Sequence, residues 1–142
     1  MGGLSAGASI IAVIQITVSI ASVLSDYYCS VRDARSDIHR LYHSIKSLQT
    51  ILTAIRNLNI RFPDMLLVSE LVEDPNGPLQ VVWVELKTLE GKLGKSPSSN
   101  ERTARWLRSL KWPFRKGDIK KITSAIESNK STLILDYTVE NV

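Results

Sequence analysis

Charge is what the opening of this sequence does without: no Lys, Arg, Asp or Glu precedes Asp26. A leading segment with no cation lacks the basic region of a secretory signal, and no A-x-A cleavage site follows its apolar run. The myristoylation pattern fails as well, because Ala6 stands where Ser or Thr is required. Cysteine is nearly absent, and the single Cys29 cannot close an internal disulfide, so a reducing compartment is expected. Aromatic residues make up only 6% of the chain, and Gly and Pro number 7 and 5, a thin supply for the turns and cross-strand pairs of a sheet protein. The phosphate loop GxxxxGK[ST] and the nucleophile elbow GxSxG are missing, and no histidine stands in a recognisable nucleophile motif. The residues therefore predict a non-enzyme with no catalytic, metal or cofactor site.

What is present is helical periodicity. The 142 residues suffice for one domain with a real core, and the expected fold is all-α: a single bundle of four to five main helices over 1–142. Residues 1–25 supply a hydrophobic N-terminal helix and 26–140 the amphipathic ones.

Leu4 to Ser25 is the unusual stretch. At about 1.5 Å per residue it makes a helix of roughly 33 Å, enough to cross a hydrocarbon core of about 30 Å. Its large aliphatics are Ile10, Ile11, Val13, Ile14, Ile16, Val18, Ile20, Val23 and Leu24. At about 1.5–3 kcal/mol each, they hold on the order of 15–25 kcal/mol of gross transfer free energy, which either a protein core or a bilayer can claim. Gln15, Ser19, Ser22 and Asp26 trace a thin polar stripe at helical spacing. Ile14, Ile16, Val18 and Ile20 also alternate as a strand would, but over too short a span inside an uncharged run without a turn signal. Small residues four apart, led by Gly3 and Gly7, permit close approach between packed helices.

After Asp26, Val31, Ala34, Ile38, Leu41, Ile45, Leu48, Leu52 and Ile55 step by threes and fours, with Tyr42, Ile51 and Leu58 widening the seam. This predicts a helix ending near Asn57 to Asn59, with no residue marking the corner between Ser25 and Val31. His39 and His43 share one face, but Arg40 replaces the glutamate of HExxH, and two partly exposed bundle histidines are expected. A short apolar piece, Met65 to Val72, ends in the turn formers Glu73 to Pro78. Leu79, Val82, Leu86, Leu89 and Leu93 restore the seam, with Val81, Trp83 and Val84 expected to thicken it. Lys95 to Ser99 reads as a loop, Asn100 as the cap of a helix stopped by Pro113 at Trp112, and Asp118 as the cap of a last helix reaching about Tyr137. The inner face of that last helix is Ile119, Ile122, Ile126, Leu133 and Tyr137, with Asn129 its one polar member.

The net charge of +4 arises entirely in residues 101–142, since residues 1–100 carry equal numbers of each sign. Arg102, Arg105, Arg108, Lys111, Arg115, Lys116, Lys120 and Lys121 crowd together with only Glu101 and Asp118 as acids. With no nucleic-acid-binding motif in sight, an anionic lipid surface suits this cluster better than nucleic acid. One hydrophobic and one basic element make a two-signal membrane binder, with Arg105, Arg108, Lys111, Arg115, Lys116, Lys120 and Lys121 as lipid-facing candidates. Trp106, Trp112 and Phe114 suit either a headgroup interface or a core.

Three stretches together, GLSAGASIIAVIQIT, VRDARSDIHRLYHSIKSLQTIL and LKWPFRKGDIKKITSAIESNKSTLIL, resemble the fungal HeLo-like domain found at the N-terminus of NLR-type STAND receptors and of their partner effectors. The likeness runs from Gly3 to about Tyr137, and the Trp112-Pro113-Phe114 turn before a Lys-rich helix is its most specific element. The resemblance implies a cell-death execution bundle that rests in the cytoplasm, self-associates on a signal from an upstream receptor or amyloid domain, and inserts its N-terminal helix into the plasma membrane. The glycine zipper of such effectors is only partly matched, at Gly3 and Gly7. On this reading Ile10, Ile11, Val13, Ile14, Ile16, Val18 and Ile20 enter the bilayer. The alternative is a homotypic adaptor module of a STAND receptor without membrane activity. Neither an amyloid motif nor a nucleotide-binding domain is seen, and Leu133 to Val142 does not read as a finished tail, so one domain of a longer protein is expected.

Overall fold

The computed structural model describes residues 6–61, 78–94 and 110–140. Among the described residues there are four helices and no strand: α1 (Ala6–Ser30), α2 (Arg35–Arg61), α3 (Pro78–Leu93) and α4 (Lys116–Glu140). The all-α bundle with an apolar first helix is the observed architecture.

The helices form a ring. α1 packs most extensively on α2 and next on α3, α4 packs on α2 and α3, and among the described residues the diagonal pairs make no close backbone approach. Tyr27 near the end of α1 touches Leu93 at the end of α3 and Trp112 just before α4. That end of the bundle therefore gathers the close of α1 and α3 with the start of α2 and α4, so α1 runs with α3 and against α2 and α4. Ile38, Leu41, Ile45 and Leu52 are fully buried, and Leu48 and Ile55 are nearly so. They line up against Ile10, Val13, Ile20 and Leu24 of α1, Val82 and Leu86 of α3, and Ile119, Ile126 and Leu133 of α4 in one continuous core. Two polar contacts fix α4 in the ring. Asn129 Nδ2 donates to Glu85 Oε2 on α3 at 3.0 Å, and Lys130 Nζ donates to Ser47 Oγ on α2 at 3.0 Å.

Local chemistry sets the helix ends. The corner between α1 and α2 falls at Val31 to Ala34, where the Val31 N–H closes onto the Tyr27 carbonyl at 2.7 Å and the Ile38 N–H onto the Ala34 carbonyl at 2.9 Å. Pro78 occupies the first position of α3, where its missing N–H costs nothing. Gly94, at φ +83°, takes the left-handed conformation that ends α3 and returns its N–H to the Glu90 carbonyl at 2.9 Å.

Several expectations are corrected. Asp118 lies inside the first turn of α4 and reaches back, its Oδ2 accepting from the Arg115 N–H at 2.9 Å. Arg115 is thus the cap position, and Asp118 supplies the third-position half of a capping box, its own N–H going to the Arg115 backbone carbonyl at 3.1 Å. Leu110 to Trp112 are not helical, so no helix runs up to Pro113. The start expected for that helix at Asn100, and the piece Met65 to Val72, lie outside the described residues. α2 continues to Arg61 and α4 to Glu140, each slightly past its expected end. Val81 and Val84 face solvent, 47% and 56% exposed, instead of thickening the seam, because among the described residues the ring gives α3 only α1 and α4 as neighbouring helices.

Candidate functional site

α1 is the candidate element, and the burial of its side chains is uneven. Ile10, Val13, Ile16, Ile20, Val23 and Leu24 are buried, and Ile14 packs partly against the core. Ile11 and Val18 are instead 40% and 50% exposed. The outward stripe runs Ile11, Gln15, Val18, Ser25 and Cys29, rotated from the expected Gln15, Ser19, Ser22 and Asp26. Of those four, Gln15 is exposed while Ser19, Ser22 and Asp26 are half-buried at the flanks. From Ile10 to Ser30, α1 is long and apolar enough to cross a membrane, with half of that span buried in the bundle.

Midway along the inner face of α1, the one buried hydroxyl among the described residues there is satisfied within the helix. Thr17 is fully buried, and its hydroxyl donates to the Ile14 carbonyl at 2.6 Å, so it leaves no bare hydroxyl in the core. With Ala21, also buried, it makes the small pair that lets a neighbour approach closely. Gly7 falls in the first turn of α1, and Gly3 lies outside the described residues.

The far end of α1 is held by Tyr27, 4% exposed. Its hydroxyl donates to the Leu93 carbonyl at 3.0 Å, one of the carbonyls that α3 cannot pair internally. Burial pushes its phenol above the ordinary tyrosine range, further from neutral pH, where a tyrosine hydroxyl is already protonated and able to donate. Its ring meets Trp112 edge-on at 5.2 Å and 75°, and Trp112 meets Phe114 at 5.1 Å and 68°. Trp112 and Phe114 are thus partly buried against the core. The Trp112 Nε1 is buried and has no hydrogen-bond partner among the described residues. Sequence reasoning missed Tyr27 by stopping the helix before it. Continuing the face from Ile20 through Val23 and Leu24 by steps of three and four lands on it.

The basic candidates gather at this same end. Lys111, Arg115, Lys120 and Lys121 are exposed, Lys116 opens α4, and Arg105 and Arg108 lie outside the described residues. The cationic surface therefore adjoins the corner Val31 to Ala34, about which α1 joins the rest of the chain.

His39 and His43 are both exposed, with ring centroids 4.5 Å apart. No third metal-ligating side chain joins them among the described residues. Open grooves flank α3. One of about 620 Å³ is lined by Val81, Val84, Leu89 and Ile122, and one of about 370 Å³ lies between Ala12, Gln15 and Ser19 of α1 and Trp83, Lys87 and Glu90. No family model, curated protein or solved structure matches the chain.

Proposed function

We propose that the chain is a membrane-permeabilising cell-death execution domain of the HeLo-like kind, acting by self-association and insertion of α1. The observation that carries this reading is α1 itself: a helix of spanning length, uncharged before Asp26, whose outward stripe already carries Ile11 and Val18. In the resting bundle most of its aliphatics are sheltered by α2 and α3. Self-association brings several copies to one patch of anionic lipid, held there by Lys111, Arg115, Lys120 and Lys121. Each α1 then exchanges core for acyl chains, pivoting at Val31 to Ala34 beside the cationic end. The exchange is feasible because both environments offer the same gain for each buried aliphatic. Rest in the cytoplasm and action at the plasma membrane, under an upstream receptor or amyloid signal, belong to the same proposal.

Dye release from anionic vesicles tests it. Val18→Arg leaves the bundle intact, because Val18 faces water there, but places a charge near the middle of the inserted helix at a cost of at least about 2.5 kcal/mol per copy. Wild-type protein is expected to release dye and the variant to release at least tenfold less. No release by wild type, or equal release by both, refutes the reading.

The second reading, a homotypic adaptor, draws on the exposed Val81 and Val84 beside the 620 Å³ groove. It predicts self-association weakened by Val84→Asp and no dye release from either protein.

A further inference from the structure

We propose that Tyr27 is the latch that keeps α1 in the bundle, a contact whose opening frees α1 while α2 and α4 stay paired. The membrane consequence rests on the function proposed above; the latch itself does not.

Tyr27 is the last buried side chain of α1, since Tyr28 and Cys29 are exposed and Ser30 is only half-buried. It is therefore the final grip on the helix before the corner at Val31 to Ala34. That grip reaches two places at once. The hydroxyl bonds the Leu93 carbonyl, 66 positions away in the chain, and the ring packs on Trp112 just ahead of α4. One side chain thus ties the close of α1 to the close of α3 and to the approach of α4. The buried aliphatics of α1, such as Ile10, Val13, Ile20 and Leu24, hold it by dispersion, which carries no directional preference for this core over another apolar medium. The Tyr27 hydroxyl is different: it has a specific partner here, and that partner is lost on leaving.

The same locus carries an opposing term. The Trp112 Nε1 is buried with no hydrogen-bond partner among the described residues, so closing the latch satisfies one polar group while leaving another dry. Opening reverses both, exposing the Leu93 carbonyl and the indole N–H to water together. The two local terms partly cancel, so the latch adds a small directional hold to the larger apolar one that the aliphatics of α1 supply. Tyr27, whose carbonyl takes the Val31 N–H, sits at the pivot end, while Val18, 50% exposed, leaves the middle of the stripe in water.

The test is amide hydrogen exchange on the full chain without lipid, comparing wild type with Tyr27→Phe. This variant keeps the ring and removes only the hydroxyl. Ile55→Val, a core deletion on α2 toward the opposite end of the bundle, serves as the control for general destabilisation. The latch predicts that Tyr27→Phe speeds exchange of the Ile10 to Leu24 amides about tenfold while α4 from Ile119 to Leu133 changes less than about twofold. The Ile55→Val control moves both helices together. An equal change in α1 and α4 for Tyr27→Phe, or no change in α1, overturns the proposal. Dye release from anionic vesicles, run in parallel, separates the two ideas. Selective exchange in α1 with no release by either protein leaves the latch standing and removes the membrane function.

Discussion

Leu41 and Val18 mark the two extremes of what a side chain contributes here, the first fully enclosed and the second half in water. Leu41 sits where α2 meets the rest of the core, and truncating it leaves a void that the tightly packed neighbours fill only in part. Leu41→Ala is expected to cost about 2–5 kcal/mol, read as a lower urea midpoint with little change in slope. Val18→Arg is expected to stay within about 0.5 kcal/mol of wild type in the same titration, because nothing packs over that position. A large loss from Val18→Arg would mean that this face of α1 is covered in solution. Such a contrast between two aliphatics of one core-lining sequence separates residues that hold the bundle from those available to another surface.

At the level of the helix, legibility depends on amphipathicity. The seam of α2 was readable because one face is apolar and the other charged, and Ile38, Leu41, Ile45, Leu48, Leu52 and Ile55 are all buried as that pattern requires. For α1 the existence of the helix was legible but its orientation was not. A rod that is greasy on nearly every side carries no signal for which face goes out, so the ring of neighbours decides, and it turns Ile11 and Val18 to solvent. Val81 and Val84 misled for the same reason, since α3 is apolar over more of its circumference than two neighbours can cover. Tyr27 escaped notice because Asp26 suggested a boundary, whereas the helix passes through Asp26 and buries the tyrosine beyond it. The packing also ranks the helices: α3 has the thinnest seam with α4 and is flanked by both open grooves. Its amides are expected to exchange ahead of those of α2, which is gripped on two sides by long seams. Native-state hydrogen exchange checks this, and α3 outlasting α2 would contradict the packing order.

Over the whole molecule, the cationic cluster before and at the start of α4 lies at the opposite end of the bundle from the start of α1. The cations Lys111, Arg115, Lys120 and Lys121 occupy the end where α1 finishes, while Ile10 and Ile11 lie toward the other end. Docking the cationic end on lipid therefore does not by itself bring the opening of α1 to the surface; the helix has to swing about its corner. That swing is the central claim, and a fluorophore on the outward stripe reports it directly. The native thiol is removed by Cys29→Ser, which is harmless because Cys29 is exposed and free. A cysteine is then placed by Val18→Cys and labelled with an environment-sensitive dye. In buffer the dye is expected to emit as in water. On anionic vesicles it is expected to shift to the blue and to be quenched by lipids carrying a quencher deep in the acyl region. Emission that stays water-like on vesicles to which the protein is demonstrably bound would contradict the account.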